Sequence, residues 1–253
     1  MKLNNLCWIC QLKEANSDEH LFKKSLIKHI WGQRLNTIDI TKSVNFGESK
    51  SVQSIGSKEF TVQNIICTTC NNITTSNHDR AFHEFSTRLL SYIPLSLDIN
   101  SVDLSQMFSK NTKQNLIWTQ LYFVKVFGCC IKNHIRQKQN KEKFKFKKLA
   151  LSILNNKPCS KIWISFGHHT LDIKNELSLK SSKLSCEFYN GGKYIKQANW
   201  LFTFGKLVFA VKFSELNNNH QAWWNPNSTS NIVPFIGFTD IVLKETCNTR
   251  IPI

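Results

Sequence analysis

Two Cys-x-x-Cys pairs, Cys7-Trp8-Ile9-Cys10 and Cys67-Thr68-Thr69-Cys70, constrain this chain more than any other feature. Each pair bends its backbone so that two sulfurs face one point, and four thiolates suit one tetrahedral zinc ion. The 56 residues between Cys10 and Cys67 let the two halves close on a shared ion. That zinc would be structural, because four thiolates leave no open coordination position. A thioredoxin-like redox reading needs one pair in a βαβ setting and leaves the second unexplained. Met1 to Cys7 carries no apolar signal core, so a cytoplasmic, reducing setting is expected, where such pairs hold metal more often than they form disulfides. Cys129, Cys130, Cys159, Cys186 and Cys247 lack ligand spacing and read as small core residues or unreactive thiols.

Charge points to the partner. Lys and Arg number 33 against 17 Asp and Glu, a net charge of +16 that favours a polyanion, with nucleic acid the first candidate. Part of this balance follows from a Lys-, Asn- and Ile-rich composition of the kind AT-rich coding sequence produces. The excess peaks in the middle, where residues 96–155 hold 11 basic and 3 acidic side chains. Within that stretch Lys132, Arg136, Lys138, Lys141, Lys143, Lys145, Lys147 and Lys148 face Glu142 alone, with Phe144 and Phe146 interleaved. Such a segment suits phosphate contacts; a solvated helix face and loop is the plain alternative. The most apolar run, Leu116 to Ile131, contains Gln120 and Lys125 and is too short for a bilayer, so it reads as a buried helix.

Periodicity divides the chain into three segments: 1–92, 93–157 and 158–253. In the first, Glu14 to Phe22 leads into a strand ending near His20, and Lys23 to Ile30 has helical spacing. Residues 41–58 read as a long loop or irregular hairpin. Phe60 to Ile66 reads as the strand feeding the second pair, and a helix is expected from Cys70 to about Tyr92, stopped by Pro94. The middle segment holds the strongest predicted helix, 113–136. Beyond residue 158 the pattern turns to strands at 161–166, 200–204, 206–213 and 236–242, with a hairpin turn at Phe204-Gly205-Lys206. The third segment is expected to be an antiparallel β-rich domain. Its Trp223-Trp224, His168-His169 and His220 read as core or rim residues rather than a site.

Between the cysteine pairs lies Glu19-His20, followed by Lys24-Ser25-Leu26, and the second pair runs on into Asn71-Asn72, Ser76 and Asp79-Arg80-Ala81-Phe82. In this order the residues resemble the zinc-knuckle HNH endonucleases, over residues 7 to about 85. The resemblance implies an α+β protein whose N-terminal unit is a ββα-metal, treble-clef-like zinc module, with the histidine on a strand and the second knuckle opening the helix. It implies hydrolysis of phosphodiester bonds, in double-stranded DNA first of all, in the manner of homing, restriction or defence nucleases of prokaryotes and phages. His20 matches the general base that activates water, and Glu19 and Asn71 match ligands of a catalytic Mg²⁺ or Mn²⁺. Asp79 matches an acidic position further along the helix, as a supporting partner or an extra ligand. The chain departs from the family at Lys23, where proline is usual, at Ile27-Lys28-His29-Ile30, where two glycines are common, and at Thr75. The middle asparagine of the family motif has only Asn64 as a nearby candidate, and His29, His78 and His83 are alternative imidazoles. A zinc module that binds nucleic acid without cutting it would keep the cysteines with no need for Glu19, His20 and Asn71.

Overall fold

The structure is a computed structural model that describes residues 5–31, 40–44, 49–52, 60–91, 100–139, 141–169, 178–189, 192–216, 223–228 and 230–238. The fold is α+β, with a mixed sheet and a few helices. Strand β1 (Ser17–His20) leads to helix α1 (Lys24–Trp31), and β1 pairs antiparallel with β4 (Thr61–Ile66). A π-helical turn, Cys70–Thr74, opens from the second cysteine pair and runs on into α2 (Ser76–Leu90). The strand before the second pair and the helix after it follow the expected order.

Helix α3 (Thr112–Gln137) is the axis of the molecule. Every residue from Thr119 to Cys129 is buried, which requires neighbours on all sides. On one side α2 packs against it, with Phe82 stacked on Tyr122 at 3.8 Å between ring centroids. On another lies the first cysteine pair. Trp8 donates its Nε1–H to Cys129 Sγ at 3.3 Å, and its ring lies where a Cβ on Gly128 would stand, 2.4 Å from the ring atom Cζ2. A glycine is required there by close approach, since any side chain would overlap the indole. The two polar residues inside the apolar run are satisfied rather than exposed. Gln120 donates to the carbonyls of Cys159 and Ile162 and accepts from the Cys159 N–H, each at 2.9 Å. Lys125 belongs to the site described below.

The large sheet lies against α3. Its order is β3 (Ser49–Val52), β2 (Ile40–Val44), β7 (Ser178–Ser181), β9 (Ile195–Phe204), β10 (Leu207–Ser214), β6 (Ile162–His169), β11 (Ile232–Phe238) and β5 (Ser101–Asp103). Strand β8 (Ser185–Phe188) shares the β7 edge of β9. The antiparallel expectation holds for the β9–β10–β6 centre. However, β11 runs parallel to β6 and β2 parallel to β7, so the sheet is mixed. Alternation along a strand identifies its faces but carries no information on the direction of its neighbour. The 41–58 stretch contains the β2–β3 hairpin, and that hairpin joins the same sheet as the C-terminal strands. All eight residues of β10 are buried. Phe209 meets Phe82 and Phe123 on the helix side, while Val208 and Ala210 form a smaller cluster with Leu201 on the other. Two covered faces explain an unbroken apolar strand. The β9–β10 hairpin turns through Gly205-Lys206, and Gly205 takes the positive φ (54°) that a two-residue loop demands. One contiguous core contains residues from all three sequence segments. Trp224 is core and His168 stacks on Phe235, as rim or core residues should; His220 lies outside the described residues.

Candidate functional site: a four-thiol cluster, a polar groove and a buried lysine

The sulfurs of Cys7, Cys10, Cys67 and Cys70 all lie within 4.8 Å of one another, and Cys10 Sγ is 3.8 Å from Cys67 Sγ. A tetrahedral zinc with bonds of about 2.3 Å sets its sulfurs about 3.8 Å apart. The cluster can therefore hold a metal ion such as zinc. Local hydrogen bonds favour one of its thiolates, while burial pushes the Cys7 and Cys70 thiols up. Burial opposes the Cys10 thiolate, but the N–H groups of Leu12 and Lys13 and the neighbouring thiols outweigh that and bring it down to about 7. Cys70 donates its backbone N–H to Cys67 Sγ at 3.4 Å.

Beside this cluster the β1–β4 ribbon is irregular. Ser17 pairs with Ile66 but Glu19 pairs with Val62, so β4 carries extra residues and bulges. Asn64 takes φ 48° at the bulge, and its N–H donates to Asp18 Oδ1 at 2.9 Å. Adjacent residues of a strand point to opposite faces. Accordingly His20 and Asp18 line one open groove of about 610 Å³ with Asn16, Ser17, Gln63, Asn64, Asn71 and Asn72. Glu19 points the other way and is buried. Burial first, then the charges of Lys24 and Lys23, hold the His20 imidazole below its ordinary pKa, so it is neutral at pH 7. Its Nε2 is shielded and has no hydrogen-bond partner among the described residues.

Behind the strand, Lys125 of α3 is fully buried. Its Nζ is 3.0 Å from Glu19 Oε1, 3.0 and 3.2 Å from the two Asp79 oxygens, and 3.4 Å from Asn71 Oδ1. Lys23 pairs with Asp79 from the outer side at 2.8 Å. Burial works against the Lys125 ammonium, but Glu19 and Asp79 outweigh it and hold the group charged. Asn71 is committed as well: its Nδ2 donates to Ser17 Oγ and to the Asp18 carbonyl, both at 2.9 Å. The structure thus brings Glu19, Asn71 and Asp79 together, but around an ammonium. A divalent ion needs those oxygens to itself and needs water or substrate to complete its shell. As arranged, Glu19 and Asn71 do not fit Mg²⁺ or Mn²⁺. The carboxylate on the His20 side is Asp18, which the period of two along a strand could have indicated.

The remaining expected residues are placed as follows. His78 is buried and its Nε2 bonds Asn156 Oδ1 at 2.9 Å, away from the groove. Arg136, exposed near the end of α3, donates to the Gln63 carbonyl at 3.0 Å. Lys132 is half-buried; Lys138, Lys141 and Lys147 are exposed. Lys148 pairs with Glu215 at 3.0 Å. Lys143 and Lys145 sit 5.6 and 5.8 Å from the ring centre of Tyr194. Phe144 and Phe146 do not punctuate a binding surface; they turn inward onto Phe213 and Trp8. The aromatic faces near these lysines are instead Tyr189 and Tyr194, about half exposed. No helix among the described residues is long and apolar enough to cross a membrane. Comparison with protein-family models, curated proteins and solved structures returned no match.

Proposed function

We propose that the chain is an HNH-type endonuclease in which a zinc-stapled, treble-clef-like unit presents His20 to a phosphodiester of DNA. One observation carries this reading: a neutral imidazole lines an open polar groove directly beside a four-thiol cluster, in the chain order that resembles the family. Zinc held by Cys7, Cys10, Cys67 and Cys70 would supply folding energy and no reaction chemistry, since its shell is filled. A water in the groove meets His20 Nδ1, which takes its proton as the oxygen attacks phosphorus; the ester P–O bond opposite breaks, and the departing sugar alkoxide takes a proton from solvent water. Lys24 and Lys23 lend positive charge beside His20. The exposed lysines from 138 to 147, with Tyr194, provide a basic surface for the flanking backbone. No step is assigned to a divalent ion at Glu19 and Asn71, because Lys125 fills the space between them.

That last observation favours a second reading, a zinc-dependent nucleic-acid-binding protein that does not cut. Supercoiled plasmid incubated with the protein in Mg²⁺, Mn²⁺ or EDTA, beside a gel shift on the same samples, separates the two. Nicked or linear product supports the nuclease and shows whether an added ion is needed. A shifted but intact plasmid, repeated on linear genomic fragments to supply other sequences, supports the binding protein.

A further inference from the structure

Cys186 has no ligand spacing in the sequence, yet the fold gives it partners. It lies on β8 with its Sγ 3.9 Å from His134 Nε2, and the same nitrogen is 2.7 Å from Glu142 Oε2. The three donor atoms all lie within 4.8 Å of one another, and none of the three residues is either fully buried or fully exposed. They come from three places: the last turns of α3, the segment after it, and the sheet. The segment bearing Glu142 is fixed there, because Lys143 N–H donates to the Lys193 carbonyl at 2.6 Å and Ile195 N–H donates back to the Lys143 carbonyl at 2.9 Å.

We propose that His134, Glu142 and Cys186 form a second transition-metal site, separate from the four-thiol cluster, that binds Zn²⁺ or a similar divalent ion through three protein donors. An imidazole, a carboxylate and a thiolate together neutralise a divalent charge, and the mixed N, O and S set suits zinc or cobalt rather than magnesium. Bonds of about 2.0–2.3 Å would space the donors roughly 3.4–3.6 Å apart. The His134–Glu142 hydrogen bond opens by under about 1 Å to admit the ion, and the thiol closes on His134 Nε2 by a few tenths of an ångström through rotation of its side chain. Three protein ligands leave the fourth position to water or an external ligand, as closed four-thiolate sites do not. His134 also lines a cavity of about 700 Å³ between α3 and the β7–β8 connection. The site depends on the packing of α3 against the sheet and not on the nuclease reading.

The test is metal content and cobalt titration of the full-length chain, beside Cys186→Ser, His134→Gln and Glu142→Gln, with circular dichroism as the folding control. The expected result is one more equivalent of metal in the parent than in each variant, and loss of part of the thiolate-to-cobalt absorption in Cys186→Ser. Identical metal content and an identical cobalt spectrum in the parent and any folded variant would overturn the proposal. Glu142→Gln alters a half-exposed residue outside regular structure and decides the matter if the other two fail to fold.

Discussion

Replacing Lys125 with methionine keeps the length of the side chain and removes the ammonium that Glu19, Asp79 and Asn71 surround. Asp79 keeps Lys23 at 2.8 Å and is partly exposed, so Glu19 is the group left stranded. A carboxyl buried without a partner protonates rather than remaining charged. Holding a glutamate of ordinary pKa about 4.3 neutral at pH 7 costs about 3.7 kcal/mol, an upper bound on the deficit because burial already raises the Glu19 pKa in the parent. This agrees with the roughly 3–5 kcal/mol typical of breaking a buried ion pair from one side. In a chain of this size the loss corresponds to a fall in Tm of roughly 7–15 °C. The pH dependence is the sharper signature. With Glu19 neutral in the folded variant and ionised in the unfolded chain, the folded state binds the extra proton, and the deficit shrinks by about 1.4 kcal/mol per unit as pH falls, until Glu19, its pKa raised by burial, protonates in the parent too. Urea unfolding of Lys125→Met and of Lys125→Met/Glu19→Leu at pH 5, 6 and 7 reads it directly. The double variant should recover most of the loss, since an apolar pair in place of a buried ion pair is often neutral. A deficit under about 1 kcal/mol at pH 7, or one that does not change with pH, would refute the argument.

Gly128→Ala should destabilise the chain by about 1–3 kcal/mol despite the better helix propensity of alanine, because its Cβ overlaps the Trp8 ring; denaturant unfolding and zinc retention would show it. His20 and His78 are both held below the ordinary histidine pKa, chiefly by burial, so the unfolded chain binds more protons. Their contribution to Tm should therefore be constant above about pH 7 and turn into a loss below about pH 6.5, complete once both folded-state values are passed. His78→Gln should reduce that fall, and a Tm unchanged from pH 7 to 5 would contradict it. Lys143→Ala and Lys145→Ala should each lower DNA affinity and reduce the steepness of its dependence on log salt by about 0.9, while Lys148→Ala, paired with Glu215, should do less.

The cysteine pairs were legible in the sequence because a Cys-x-x-Cys turn is local, and only one long-range closure had to be assumed. Helix α3 was legible for a similar reason: Leu116, Leu121, Val124 and Phe127 recur along a single element. Lys125 was visible only as an interruption of that pattern. Nothing local indicates that it reaches back to Glu19 and Asp79, because the contact depends on how α3 packs behind β1. The pairing of Glu19 with His20 was misleading for a reason the sequence does contain: neighbours on a strand face opposite ways, and Asp18 is the residue that shares the face of His20. The roles of Phe144 and Phe146 were hidden because alternation with lysine fits a binding surface and a half-buried segment equally well. The convergence of His134, Glu142 and Cys186 joins residues up to 52 apart and depends on tertiary packing alone.

The proposed reaction turns on His20 as the proton acceptor. Its most direct test is the cleavage rate of the parent and of His20→Ala on the same DNA, with Tm and DNA affinity measured on both. His20→Ala should cut more slowly by about 10²–10⁴-fold with Tm and affinity unchanged. Equal rates in the two proteins, or a parent that binds DNA firmly and cuts none, would contradict it.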